Sequence, residues 1–149
     1  MQKNQDFHTV RGYQLLAQND KLLTSAMEDY LEMLCRCSAP GEAVRVRTLA
    51  RHLNVKPPSA SKMVAQLREQ GLVEAEHYGA VTVTPPGRQM GEYLLHRHSV
   101  LLRFFEALDL DGALEQVELI EHYLTPQTIG RLEALLPRLE GGRDAKQDG

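Results

Sequence analysis

The sequence predicts a mainly α-helical chain, with a first module that closes in a small β-hairpin and a second built of helices alone. Three observations carry this. Hydrophobic residues make up 42% of the 149, yet only 5% are aromatic and none is Trp, which suits helices around an aliphatic core. Apolar positions recur three and four apart through most of the chain, the spacing of one helical face. Only residues 72–84 instead show short strand-like runs, on either side of His77-Tyr78-Gly79.

The elements follow in order. Residues 1–22 are polar apart from Tyr13 to Ala17 and read as a loosely ordered arm. Thr24 or Ser25 can cap a helix whose apolar face is Met27, Tyr30, Leu31 and Leu34, and which ends before Pro40-Gly41. Val46 to Leu53 reads as a short helix with Leu49, Ala50 and Leu53 inward, followed by a tight turn at Asn54-Val55-Lys56. Pro57-Pro58 suits a helical first turn, where no backbone donor is lost. That helix turns Met63, Val64 and Leu67 inward and stops at Gly71. Leu72–Glu76 and Ala80–Thr84 form the hairpin, and Thr84 then caps a long helix from about Pro86 to Leu108. Asp111–Leu124 and Thr125 to about Leu139 read as two more helices, with a polar, frayed tail from Gly141. The expected units are an arm (1–22), a first module (23–84), a helical second module (85–140) and a tail (141–149).

Helix, helix, tight turn, helix, hairpin is the order of a winged helix-turn-helix, in which the second helix of the pair enters the major groove of DNA by its N-terminal end. The net charge of −3 argues against DNA until it is divided. Residues 36–68 hold seven Lys or Arg against one acid, whereas residues 71–149 hold seven against thirteen. One part suits phosphates and the other suits cations. Ser59, Ser61 and Lys62, at the start of the recognition helix, are the candidates for base or near-base contacts. Arg45, Arg47, Arg51 and Lys56 are expected on phosphates, and Tyr78 at the wing tip along the backbone.

No apolar run approaches the ~20 residues that span a bilayer, and nothing resembles a signal peptide. Cys35 and Cys37 sit too close for a comfortable disulfide, so a reducing cytoplasm is expected. The acidic half carries Glu118, Glu121 and His122, metal-capable side chains on one face of any helix. Asp29 and Glu32 repeat the carboxylate spacing on the first helix, and His98 lies in the long one. Four carboxylates and two imidazoles that met in one place would call for a hard divalent cation, or two. His8, His52, His77 and His96 have no such company and read as surface or packing residues. The two cysteines read as ordinary thiols rather than a Cys-x-Cys metal or redox site.

From Thr24 to Leu139 the chain resembles the diphtheria-toxin-repressor (DtxR) family, and within it the manganese-dependent, MntR-type branch. The residues that carry this are Met27-Glu28-Asp29-Tyr30-Leu31-Glu32, Pro58-Ser59-Ala60-Ser61-Lys62-Met63-Val64, Arg97-His98 and Ile120-Glu121-His122. The resemblance implies a metal-responsive repressor that binds a palindromic operator as a homodimer and silences metal-uptake genes. It implies ligands at Asp29, Glu32, His98, Glu118, Glu121 and His122 for two Mn²⁺ per subunit, with Glu118 and Glu121 shared between the ions. Iron-dependent relatives place Met where this chain has Asp29 and Cys where it has Glu118, and oxygen at both favours Mn²⁺. No stretch after the last helix is expected to form the C-terminal barrel of the iron-dependent members.

Leu101, Leu102, Phe104, Phe105, Leu132, Leu135 and Leu136 are expected in the core or the dimer interface. The alternatives are an Fe²⁺- or Zn²⁺-responsive repressor of the same family and a metal-independent winged-helix regulator. A carboxylate-bridged di-metal enzyme fits less well. It uses Glu-x-x-His pairs, whereas Glu121 and His122 are adjacent, and no nucleophile or Gly-rich phosphate loop is present. The protein is not expected to be an enzyme.

Overall fold

The computed structural model describes residues 23–76 and 79–147; the predicted arm and the wing-tip Tyr78 lie outside these residues. In chain order the elements are α1 (Ser25–Cys37), β1 (Ala43–Arg45), α2 (Val46–Leu53), α3 (Pro57–Glu69), β2 (Val73–Ala75), β3 (Ala80–Val83), α4 (Pro85–Ala107), α5 (Ala113–Ile120), a 3-10 turn (Glu121–Tyr123) and α6 (Pro126–Gln147). This is a mainly helical chain, with a winged helix-turn-helix followed by helices, as predicted.

Local chemistry sets the boundaries. The Thr24 hydroxyl accepts from the Met27 backbone N–H at 3.2 Å and satisfies a donor the helix itself cannot. Asn54 adopts the left-handed conformation (φ 54°) that its short polar side chain tolerates, and this ends α2 and turns the chain into α3. Thr84 caps α4 by accepting from the Gly87 N–H at 3.2 Å, and its hydroxyl donates to the Gly71 carbonyl oxygen at 2.7 Å. The wing is therefore tied to the base of the long helix.

Two buried clusters meet along α4. The first joins α1, α2, α3, the sheet and the start of α4 through Leu31, Leu34, Leu49, Leu67, Val81 and Leu94. The second joins the later part of α4 to α5 and α6 through Val100, Leu101, Val117, Ile129 and Leu136. Arg97 and His98 lie on the stretch between them. Of the residues expected in core or interface, Leu101 and Leu136 are buried, whereas Leu102, Phe104, Phe105 and Leu132 pack partly buried against the second cluster. Leu135 is exposed, along with Leu108, Leu110, Leu114, Leu119, Ile120, Tyr123 and Leu139. So much apolar surface on the last helices is what a dimerising face leaves on one subunit.

Four expectations need correction. The sheet has a third strand, β1, paired antiparallel with β3 so that Val44 faces Val81, in the order β1-β3-β2. Three residues running straight into a helix are too few to show a period of two. The helix expected through Leu124 stops at Ile120 and tightens into the 3-10 turn. The last helix passes through Gly141 and Gly142 to Gln147 instead of fraying. Arg103 of α4 holds Glu140 with two hydrogen bonds of 2.9 Å and pins the turn just before those glycines. Leu53 and Met63 are half-buried rather than fully inward.

Candidate metal centre

The predicted ligands come from three elements that converge where the two cores meet. Asp29 and Glu32 lie one turn apart on α1, His98 projects from α4, and the 3-10 turn presents Glu121 and His122. They form two overlapping groups, each with one ligand atom per residue and all atoms within 4.8 Å of one another. One is Asp29, Glu121 and His122; the other is Glu32, His98 and Glu121. Glu121, only 2% exposed, belongs to both. Its Oε2 accepts from His98 Nδ1 at 2.9 Å, and its Oε1 lies 4.0 Å from His122 Nε2. His122 Nε2 is 3.1 Å from Asp29 Oδ1, and His98 Nδ1 is 3.9 Å from Glu32 Oε1.

Glu118 belongs to neither group. It is exposed and lines the outer wall of the same cavity, about 520 Å³ in volume, alongside Asp29, Glu32, Met33, His98 and Leu114. Glu118 ends up on the solvent side of α5, whereas Glu121 and His122, in the 3-10 turn that follows, are buried. His52 of α2, read from sequence as a surface or packing residue, lines this cavity as well.

Glu28 and Arg97 had no assigned role, although each directly precedes a predicted ligand. Both are buried, and Arg97 donates to Glu28 at 3.1 Å. An acid and a base next to two ligands, each on the side turned away from the cavity, was the available signal. On the outer side, Arg36 donates to Glu32 at 2.9 Å.

Burial and neighbouring charges shift two of these groups. Burial pushes the Glu121 carboxyl above the usual carboxylate range; its hydrogen bond with His98 opposes this, and the neighbouring charge of Glu32 adds to it. Burial pulls His122 down, but hydrogen bonds and negative charge from Asp29 and Glu28 outweigh it and lift the imidazole to about 9. Three carboxylates and two imidazoles, with Glu121 common to both groups, are a donor set that suits a hard or borderline divalent cation.

A pH dependence follows for the metal-free chain. Both groups have folded pKa values above their unfolded ones, so their stabilisation is complete at acid pH and fades as pH rises. For His122 the loss runs from its ordinary 6.5 to about 9. Urea midpoints of metal-free protein should fall steadily across that window, and a flat or rising profile would contradict the assignment.

The residues predicted to meet DNA lie between β1 and the first turns of α3. Arg45 ends β1, Arg47 and Arg51 lie on α2, Lys56 precedes α3, and Ser59, Ser61 and Lys62 occupy its first turns; all seven are exposed. The first turns of α3 thus present Ser59, Ser61 and Lys62 to solvent.

Residues 22–81 match the family described as "Iron dependent repressor, N-terminal DNA binding domain", and residues 84–142 match "Iron dependent repressor, metal binding and dimerisation domain". A relative from Lysinibacillus sphaericus, named HTH-type transcriptional regulator MntR, is 34% identical over 123 residues, 81% of this chain and 88% of its own. A protein of the same name from Listeria welshimeri is 35% identical over 124 residues, 82% of this chain and 87% of its own. A solved structure described as a manganese-dependent transcriptional repressor complex with manganese superposes with a TM-score of 0.65 at 30% identity. That match covers 74% of this chain and 52% of the other, so the chain spans about half of that protein. A DNA-binding module joined through metal-capable residues to a dimerising helical module defines a metal-responsive transcriptional repressor rather than an enzyme. The chain belongs to the iron-dependent-repressor family, that of the diphtheria toxin repressor.

Proposed function

We propose that the chain is a manganese-responsive repressor that acts in the cytoplasm. As a homodimer it binds a palindromic double-stranded operator of metal-uptake genes, with two Mn²⁺ per subunit. The observation that carries this reading is Glu121, buried and common to both ligand groups. Asp29, Glu121 and His122 would hold one ion, and Glu32, His98 and Glu121 the other, with Glu118 reaching in from the cavity wall. Oxygen at positions 29 and 118, and sulfur at none of the six, favours a hard ion such as Mn²⁺.

Bound divalent ions supply the positive charge that lets these carboxylates share one site without repelling one another. The chain's residues do the rest. Asp29 and Glu32 fix α1 against α4 and the 3-10 turn. Because α2 and α3 pack on α1, fixing α1 also fixes the recognition helix within residues 23–84 relative to a dimer core in residues 85–140. Two such helices would then meet major-groove faces roughly 34–36 Å apart. Lys56, Arg45, Arg47 and Arg51 would hold the phosphates, leaving Ser59, Ser61 and Lys62 near the base edges.

The test is a fluorescence-anisotropy titration on a duplex selected from a random library in the presence of Mn²⁺. Manganese should tighten binding by roughly 5–150-fold, the range of ordinary allosteric coupling, and EDTA should reverse it. Affinity indifferent to chelation would sink the metal-responsive reading. Equal or greater tightening by Fe²⁺ or Zn²⁺, without oxygen and under reducing conditions, would replace manganese with that ion.

A further inference from the structure

A buried ion pair stands behind His122, outside the ligand groups, and its role builds on the metal reading above. Glu28, Arg97 and His122 are only 7, 3 and 5% exposed. Removing two charges from water is costly, and a well-packed apolar pair would often serve stability as well. Geometry supplies a reason for keeping them.

Glu28 follows α1 about 100° round from Asp29, turned away from the cavity. Arg97 Nη1 donates to Glu28 Oε2 at 3.1 Å, and the other carboxylate oxygen, Oε1, lies 3.4 Å from His122 Nδ1. The opposite ring nitrogen, Nε2, is the one that faces Asp29 at 3.1 Å and Glu121 at 4.0 Å. Arg97 Nη2 also stands 3.5 Å from Nδ1, so a divalent cation approaching that nitrogen would meet a guanidinium. The two edges of the ring thus face opposite chemistry: a carboxylate and a fixed cation inward, the ligand group outward. An imidazole ligand needs this arrangement, because the hydrogen bond made by one nitrogen decides which nitrogen takes the metal and how basic it is.

We propose that Glu28 and Arg97 are positioning residues for metal binding: Arg97 fixes the Glu28 carboxylate, Glu28 holds His122 by its Nδ1–H, and Nε2 is thereby the metal-facing nitrogen. The pair also ties α1 to α4 at the junction of the two cores, so the ring that receives metal is oriented by the same contact that joins the two modules.

Two measurements test this. In ¹⁵N-histidine-labelled wild-type protein loaded with ¹¹³Cd²⁺, the cadmium coupling should appear at Nε2 of His122 while Nδ1 carries a proton; coupling at Nδ1 overturns the proposal. The double variant Glu28→Gln/Arg97→Gln removes both charges and leaves a neutral amide in place of each. It should keep the circular dichroism of metal-free wild type, yet bind Mn²⁺ about 10–100-fold more weakly with an altered EPR spectrum. A folded double variant with wild-type affinity and spectrum overturns it, and the cadmium result decides whether or not that variant folds. Wild-type protein that takes up neither Cd²⁺ nor Mn²⁺ overturns the metal reading along with this one, whereas wild-type uptake with an unchanged double variant overturns this one alone.

Discussion

Glu121→Gln should abolish manganese-dependent operator binding while leaving the metal-free fold intact. Glu121 is the one side chain common to both ligand groups, so its loss removes a donor from each ion at once. The drop in Mn²⁺ affinity should exceed the ~10–100-fold carried by groups that only orient ligands. Operator affinity in excess manganese should return to the metal-free value. Stability should not suffer. The wild-type carboxyl is 2% exposed and raised by that burial, and an amide of the same shape has no charge to desolvate while still accepting from His98 Nδ1. Urea unfolding should therefore place metal-free variant and wild type within about 1 kcal/mol. Calorimetry with MnCl₂ and anisotropy with the operator read the rest. A variant that still takes up two ions and still requires manganese for DNA would remove Glu121 from the centre.

The largest loss of stability is expected from Gly87→Ala. Gly87 sits in the first turn of α4, and a Cβ there would fall on the Leu72 carbonyl oxygen, 2.8 Å from the Leu72 carbonyl carbon and 2.9 Å from Val83 Cγ1. Most of that obstruction is backbone, which cannot rotate aside. Either α4 lifts from the sheet or the wing shifts, and the Thr84–Gly71 hydrogen bond goes with it. A cost of about 3 kcal/mol is expected, at the upper end for overpacking. Gly130→Ala is the control: its Cβ would meet nothing within 4 Å inside α6, so the variant should gain ~0.5–1 kcal/mol from helix propensity. Urea midpoints read both. Equal stability of Gly87→Ala and wild type would mean that α4 and β2 do not approach so closely.

The helices of the first module were legible because caps and apolar spacing agree. Thr24, Pro57 and Thr84 mark starts, and Leu31, Leu34, Leu49 and Leu67 are all fully buried. The strand β1 was hidden by its brevity, and the end of α5 by a sequence that reads as helical through Leu124. At the metal centre, spacing grouped Glu118 with Glu121 and His122, and only packing separates them: the last two are buried, whereas Glu118 is exposed at the cavity wall.

Residue order alone determined the kind of elements, the split between a basic reading face and an acidic remainder, and which side chains could hold cations. Each depends on neighbours within a few positions, where helical period, capping and local charge act. The fold had to decide which carboxylate is shared, which face of each histidine looks outward, and that Glu28 and Arg97 stand behind the ligands rather than among them. Those outcomes depend on where α1, α4 and the 3-10 turn cross. Burial and distance between chain segments up to 94 residues apart, as Glu28 and His122 are, are set by packing that no local pattern contains.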